Sequence, residues 1–494
     1  MDAIIWNSGS DTDTNLTYRY LGAYKVAHSL RSNGFSVQII DHITRLTDQE
    51  LYSFTKKFIT SKTEILAIST TFLCQENYKW PGSDRTYRIP YSVYTALKTI
   101  KEEHPRIRII LGGYMAGAVS GWGLVDASVI HYGEDIFLEL MEHLRYGKDE
   151  PRYEIRNPVP NVTMKMYTDP RNPRHNIQHD NHIFADNDCI VPGETLPIEV
   201  SRGCMFHCKF CNHLLLGRKK LDYLRDFELI RNEMLHNESK WGVKNYYVIC
   251  DTFNDTTIKM EKWHDMVKSL PFDINFTAYL RADLLHRFTE IPALLKESGL
   301  LSAFHGLESL QERASSAVGK GWSGKHAREW IPTLYHDIWK GEVFQTLGFI
   351  IGLPGDRRED IVDTVKWFIK NDLNGASFTN LSLNRGSQFP SEFEKDYEKY
   401  GYRFKDGDDS NWYTDYWSKT EVIKFNDSVI TPMIVGNRSL IGSWDVLSAM
   451  TYGYNGRDLS KKNLLSIGKK DWWKSVAVQQ RIYIEKYKTL LLSI

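Results

Sequence analysis

The chain has 494 residues, room for about three domains at roughly 150 residues each, and its 62 Lys and Arg balance its 62 Asp and Glu. That balance excludes an extensive nucleic-acid surface or attraction to an anionic membrane driven by bulk charge. A hydrophobic content of 42% with 25% charged residues excludes a disordered chain.

The first residues, Met1-Asp2-Ala3-Ile4-Ile5-Trp6-Asn7, carry no basic stretch ahead of an apolar core. No apolar run approaches the roughly 18 residues of a membrane span. The expectation is therefore a soluble, cytoplasmic protein with no membrane partner.

Short apolar runs at residues 3–6, 36–40, 65–70, 108–111 and 127–131 read as strands. Amphipathic stretches separate them; Ala23, Val26, Ala27 and Leu30 fall at the i, i+3, i+4, i+7 spacing of a helix face. Such alternation predicts an α/β domain over residues 1–146, a doubly wound, Rossmann-like parallel sheet with helices on both faces. Ligands of such sheets lie at the carboxyl ends of the strands. Over 147–195, Pro151, Pro158, Pro160, Pro170, Pro173 and Pro192 interrupt regular structure, and this segment reads as a connector.

Alternation resumes with strands at 196–200, 245–250, 274–277, 302–306, 343–351 and 377–383, each spaced for an intervening helix. Six β/α units over 196–384 fit a partial (β/α)6 barrel, whose site sits where the strands end. Residues 385–494 turn aromatic-rich and mixed in charge, with Trp412, Tyr413, Tyr416, Trp417, Trp444, Trp472 and Trp473, and read as a mixed accessory domain. The basic stretch 461–488 reads as a solvated helix face. The segment 74–90, with Tyr78, Trp80, Arg85 and Tyr87, reads as filler beside the first domain rather than a lid.

Of six cysteines, Cys204, Cys208 and Cys211 crowd into eight positions just past the first barrel strand. This layout suits metal binding or redox chemistry better than a disulfide framework. Three thiolates at spacings of four and three leave one iron of a four-iron cluster without a protein ligand. A competing zinc set would add His213 to the three cysteines and make a non-catalytic, metal-stabilised binding protein.

At Cys204-Met205-Phe206-His207-Cys208-Lys209-Phe210-Cys211 the chain resembles the radical S-adenosylmethionine enzymes, whose loop places an aromatic residue before the last cysteine, as Phe210 does. The resemblance implies a [4Fe–4S] cluster on Cys204, Cys208 and Cys211, with S-adenosylmethionine on the fourth iron. An external one-electron donor of flavodoxin or ferredoxin type would reduce the cluster, releasing a 5′-deoxyadenosyl radical that takes a hydrogen from an unidentified substrate. The same resemblance puts Asp251 and Thr252 against the amino acid part of the cosubstrate and Arg281 on its carboxylate. Glu308 falls near the ribose or amino group and Ile350 behind the adenine. Gly355 stands where the family often has an acidic residue, so that position carries no polar role.

The first domain resembles the cobalamin-binding domain joined to many of these enzymes, through Arg19–Tyr24, 37–41, Leu111-Gly112-Gly113 and His131-Tyr132-Gly133-Glu134-Asp135. Gly112, Gly113, Gly133 and Glu134 are implied cobalamin contacts, the glycines allowing backbone to approach a bulky ligand. The D-x-H-x-x-G axial motif is missing, because His42 follows Asp41 directly; histidine ligation of cobalt is not expected. With cobalamin, the implied reaction is methylation of an unactivated carbon. Without it, rearrangement, epimerisation or oxidation stays open.

Overall fold

The computed structural model describes residues 1–8, 18–74, 78–116, 123–130, 132–159, 162–168, 177–211, 223–387, 390–435 and 469–494. The chain divides into two compact units. One holds Met1–Pro197, Leu216–Val243 and Val476–Ile494; the other holds Ile198–Leu215 and Lys244–Ser475.

The first unit is built on a seven-stranded sheet. Strands β1 (Ala3–Trp6), β2 (Val37–Ile40), β3 (Ile65–Ser69), β4 (Arg108–Gly112) and β5 (Ala127–Ile130) join β6 (Tyr153–Val159) and β7 (Val162–Thr168) in the order β2-β1-β3-β4-β5-β7-β6. β1 to β5 are parallel, β7 runs parallel to β5, and β6 closes the edge antiparallel to β7. β1 and β2 are buried along their whole length, as strands covered on both faces must be. Helix α1 (Leu21–Ser32) buries Leu21, Ala23, Tyr24, Ala27 and Leu30. α2 (Asp48–Phe58) starts in a Thr47/Glu50 capping box, α3 (Tyr91–Glu103) buries Val93, Ala96, Leu97 and Ile100, and α4 (Glu134–Tyr146) ends at Gly147 in the left-handed conformation.

Two expectations need correction here. The stretch 147–195 is not only a connector, since it supplies β6 and β7. Pro158 is tolerated because β6 is an edge strand and its register slips between Arg156 and Val159, where no ladder donor is required. Nor do the compact units follow the expected segments 1–146, 196–384 and 385–494. The helix Phe227–Trp241, placed in the barrel by chain order, belongs to the first unit, and so does the end of the last helix, Lys469–Ser493. That return is fixed by long-range polar contacts, which local pattern does not encode. Tyr487 Oη accepts from Asp41 N at 2.7 Å, and Tyr483 Oη lies 3.1 Å from His42 Nε2.

The second unit carries the six-stranded sheet β8 (Thr195–Glu199), β9 (Asn245–Ile249), β10 (Asn275–Leu280), β11 (Leu300–Glu308), β12 (Phe344–Ile351) and β13 (Gly375–Asn380), in sequence order. β9 to β13 are all parallel. One face packs on helices: Phe276 meets Trp263, His305 meets Trp339, and Leu347 and Phe349 share a core with Ile331, Tyr335 and Phe368. Tyr279, Phe304 and Gly348 alternate onto the other face. A side chain at Gly348 would come within 2.6 Å of the Phe304 ring, so only glycine fits. Of the late aromatics, Trp412 and Trp417 are buried with Ile351, Leu353 and Val422 in one core; Trp444 and the side chains of Trp472 and Trp473 lie outside the described residues. Among the described residues no helix is long and apolar enough to cross a membrane.

Candidate functional site

The cysteine loop begins where β8 ends, and its first residues are fastened from below. Arg202 grips Glu199 through two hydrogen bonds of 2.7 and 3.0 Å. Ser201 Oγ donates to Cys250 Sγ at 3.1 Å and accepts from Lys259 Nζ at 2.8 Å. Lys259 is fully buried and also reaches the Thr252 carbonyl and Asp255, both at 3.2 Å. One buried cation thus ties the ends of β8 and β9 together, and Asp255 compensates its charge. Gly203 then turns the chain at φ +84°, a conformation that favours glycine.

The far end of the loop is held by backbone and packing. Lys209 N donates to the Val318 carbonyl at 3.0 Å, Phe393 N donates to the Lys209 carbonyl at 2.9 Å, and Cys211 N donates to the Cys208 carbonyl at 2.9 Å. Phe210 and Ile350 both pack against the core around Ile351 and Leu353. The aromatic position before the last cysteine therefore anchors the loop.

Cys204, Cys208 and Cys211 are half-buried and in no disulfide. Thr252 Oγ1 lies 3.4 Å from Cys204 Sγ, and Arg281 Nη1 donates to Cys208 Sγ at 3.5 Å. Among the described residues no three Cys, His, Asp or Glu side chains gather closely enough to hold a single metal ion. Burial pushes the Cys208 thiol up, while Lys320 and Arg281 pull it down and Glu308 and Cys204 push with the burial. Those residues, from four separate segments, act on one another at the same place.

Arg281 and Glu308 come to this place, each with a partner that sequence reading missed. Arg281 makes a bidentate pair with Asp283, at 3.0 and 2.7 Å, and its guanidinium lies 4.0 Å from the Phe206 ring centre. Its backbone and the Asn254 amide exchange two hydrogen bonds, of 2.8 and 2.9 Å. Glu308 has φ +65° at a register irregularity after Gly306, and accepts from Lys320 Nζ at 2.6 Å. Asp251 is exposed, Thr252 is buried with its hydroxyl on Cys204, and Ile350 is half-buried. Lys259 had a weak sequence signal in its i, i+4 relation to Asp255; Lys320, twelve positions past Glu308, had none.

The implied cobalamin positions look different. A side chain at Gly113, where φ is +99°, would lie 2.3 Å from Thr71 Oγ1, and side chains at Gly112 and Gly133 would meet the Phe137 ring at 3.5 and 3.2 Å. Gly113 makes room for Thr71 and Gly133 for Phe137, whereas at Gly112 the contact would be an ordinary one. Glu134 is buried in the first turn of α4. His42 is buried, burial lowers its pKa to about 4, and its ring faces Tyr483 and Tyr487 edge-on. His131 and His213 lie outside the described residues, as do residues 9–17 and 117–122 of the strand-end loops. In the described part of the segment 74–90, Trp80 stacks on Tyr87 at 3.7 Å and packs against Tyr91 and Tyr94 of the following helix.

Residues 198–368, which take in the whole cysteine loop and β9 to β12, match the Radical SAM superfamily. The chain carries a radical SAM domain. That match favours the radical SAM reading of the cysteine loop over the zinc-stabilised binding protein. An uncharacterized methyltransferase of Pyrococcus horikoshii is 26% identical over 317 residues, covering 60% of this chain and 65% of that protein. The bacteriochlorophyllide d C-8(2)-methyltransferase of Chlorobaculum tepidum is 22% identical over 291 residues, 56% of this chain and 61% of its own. The match thus spans just under two thirds of each of these relatives. Among solved structures, the radical S-adenosylmethionine methyltransferase TsrM of Kitasatospora setae, with cobalamin and a [4Fe–4S] cluster bound, superimposes with a TM-score of 0.66. That superposition covers 98% of this chain and 99% of TsrM at 14% identity. At that identity the likeness establishes the fold, a Rossmann-like domain joined to a radical SAM domain.

Proposed function

We propose that the chain is a cobalamin-dependent methyltransferase acting on an unactivated carbon through S-adenosylmethionine cleavage at a [4Fe–4S] cluster on Cys204, Cys208 and Cys211. The observation that carries the reading is the presentation of three half-buried thiols, in no disulfide, at a strand end, two of them facing hydrogen-bond donors, inside the matched segment. The donor set fits the cluster, because thiolates are its ligands and three of them leave one iron open. When bound, the reduced cluster supplies the electron that splits a carbon–sulfur bond of S-adenosylmethionine, giving methionine and a 5′-deoxyadenosyl radical.

The chain's own residues position and shield. Lys259 fixes the loop entrance through Ser201, and Phe210 fixes its exit. Glu308, held by Lys320, and the exposed Asp251 are the proposed polar contacts of the cosubstrate, and Ile350 the apolar one. A flavodoxin- or ferredoxin-type protein is the proposed electron donor, in the cytoplasm.

Cobalamin is supported by the methyltransferase relatives and by the fold shared with TsrM. The fit of this chain is narrower: His42 is spent on Tyr483, so cobalt takes no ligand from it. One specific observation favours a second reading, in which the Rossmann-like unit keeps its fold without the cofactor. The space a side chain would take at Gly113 is filled by Thr71 Oγ1 at 2.3 Å, and at Gly133 the Phe137 ring comes within 3.2 Å.

Anaerobic reconstitution with and without hydroxocobalamin tests both. The expected product holds about four irons with matching sulfide, a cobalamin spectrum, and reductant-dependent release of 5′-deoxyadenosine. Cys208→Ala is expected to lose the cluster and that release entirely. A full cluster in this variant overturns the assignment; cluster and cleavage without retained cobalamin favour the second reading.

A further inference from the structure

Two groups at the site aim at sulfur rather than at open space. Thr252 Oγ1 lies 3.4 Å from Cys204 Sγ, and Arg281 Nη1 lies 3.5 Å from Cys208 Sγ. Both residues are buried, and both are fixed from behind. The Thr252 carbonyl is tied to Lys259, and its neighbour Asn254 is locked to the Arg281 backbone. Arg281 spends Nε and Nη2 on Asp283 and lays its plane on Phe206, which leaves Nη1 directed at Cys208. The remaining Nη1/Nη2 edge is turned to the Cys208 sulfur and, at 3.4 Å, to the Lys320 carbonyl, so both donors a second carboxylate would need are already directed elsewhere.

We infer that Thr252 and Arg281 are the sulfur donors that set the reduction potential of the cluster, and that Arg281 is not the carboxylate ligand of S-adenosylmethionine. This rests on the reading that the three cysteines hold the cluster. A thiolate on iron only accepts hydrogen bonds, so the threonine hydroxyl donates. The reduced cluster carries one more negative charge than the oxidised one. A donor or cation at its sulfurs, in a site sheltered from water, stabilises the reduced form more and raises the potential. The two residues are positioning groups for the electron-transfer step, and they act before the cosubstrate is cleaved.

The test uses the full chain, reconstituted anaerobically, with iron and sulfide counted and the cluster titrated reductively under paramagnetic resonance without S-adenosylmethionine. Thr252→Val, which keeps shape and removes the hydroxyl, is expected to lower the reduced-to-oxidised ratio at a fixed potential about tenfold, equivalent to about 59 mV for one electron. Thr252→Ser is expected to restore it, and Thr252→Ala gives the same reading as valine should the latter not fold. Arg281→Gln is expected to lower the ratio at least as far while S-adenosylmethionine affinity, measured by calorimetry, stays within about threefold. An unmoved ratio in these variants at full iron content overturns the inference and leaves the cluster assignment standing. A tenfold or larger loss of S-adenosylmethionine affinity in Arg281→Gln with an unmoved ratio returns Arg281 to the carboxylate. A wild-type chain that takes up no cluster overturns the inference together with the reading beneath it.

Discussion

Both units follow one rule of α/β architecture, in which parallel strands deliver polar residues to their carboxyl ends, yet they use those ends in opposite ways. In the first unit the strand-end groups consume one another. Asp41 accepts from Tyr24 Oη at 2.6 Å and Asn7 Nδ2 at 3.1 Å, Arg19 Nε meets Glu194 at 2.6 Å, and Tyr483 bridges Glu194 and His42. All of these residues are buried. In the second unit the strand ends carry three half-buried thiols, and Thr252 and Arg281 face two of the sulfurs. A strand end becomes a site only where donors and acceptors are left over after the fold has been satisfied.

The largest expected effect breaks the closed side of this comparison. Arg19→Met removes the cation that compensates buried Glu194 and is expected to cost about 3–5 kcal/mol of stability, read from the urea midpoint. Adding Glu194→Gln is expected to recover part of that loss, because the uncompensated charge goes too. A cost below roughly 1 kcal/mol, the range of an exposed pair, would mean that this strand end is open to water or ligand and not closed. Gly113→Ala asks the same of the glycines. With φ at +99° and Thr71 Oγ1 at 2.3 Å, the variant is expected to lose roughly 1–3 kcal/mol. Gly147→Ala, at φ +67° with no atom within 4 Å, is the control for backbone strain alone and is expected to lose less. Equal losses in both would free Gly113 from its packing role and return it to ligand approach.

Legibility followed the range of the forces involved. Strand positions and the cysteine loop were readable because hydrophobic period and ligand spacing are local properties. β1 runs over Ala3–Trp6 as its apolar run implied, and β12 begins one residue inside the expected 343–351. Edge strand β6 hid behind Pro158, because an antiparallel edge with a slipped register needs fewer donors than a central strand, and β7 inside it lies between Pro160 and Pro170. The partners distant in sequence were not legible. Lys320 meets Glu308 across a bulge that gives a non-glycine residue positive φ, and Tyr483 meets His42 from 441 positions away. Asp283, only two positions from Arg281, was readable as a pair and decides which part of the guanidinium is left to act. Local sequence named the proposed ligands, while their electrostatic setting came from tertiary contacts.

The smallest expected effect separates burial from site chemistry inside the second unit. His305 is fully buried against Trp339, and burial, with a further push from Lys320, lowers its pKa to about 3. The unfolded chain takes up this proton near pH 6.5 and the folded chain does not. Stability from His305 is therefore complete above that pH and is lost as pH falls from about 6.5 toward 3, at up to about 1.4 kcal/mol per pH unit. Asp356 works the other way. Burial raises its carboxyl to about 8, so the folded chain holds a proton that the unfolded chain has released above its ordinary value. Its contribution is complete below about 4 and declines as pH rises toward 8, which masks part of the histidine slope in the wild type. His305→Phe keeps a ring on Trp339 and removes the titration. The difference in urea stability between variant and wild type, followed from pH 7 to pH 4.5, isolates the one proton whatever Asp356 does. The variant is expected to gain on the wild type steadily as pH falls. A difference that does not change with pH would mean that His305 takes up its proton in the folded chain as it does in the unfolded one, its charge met by a partner or by water in the layer around Trp339.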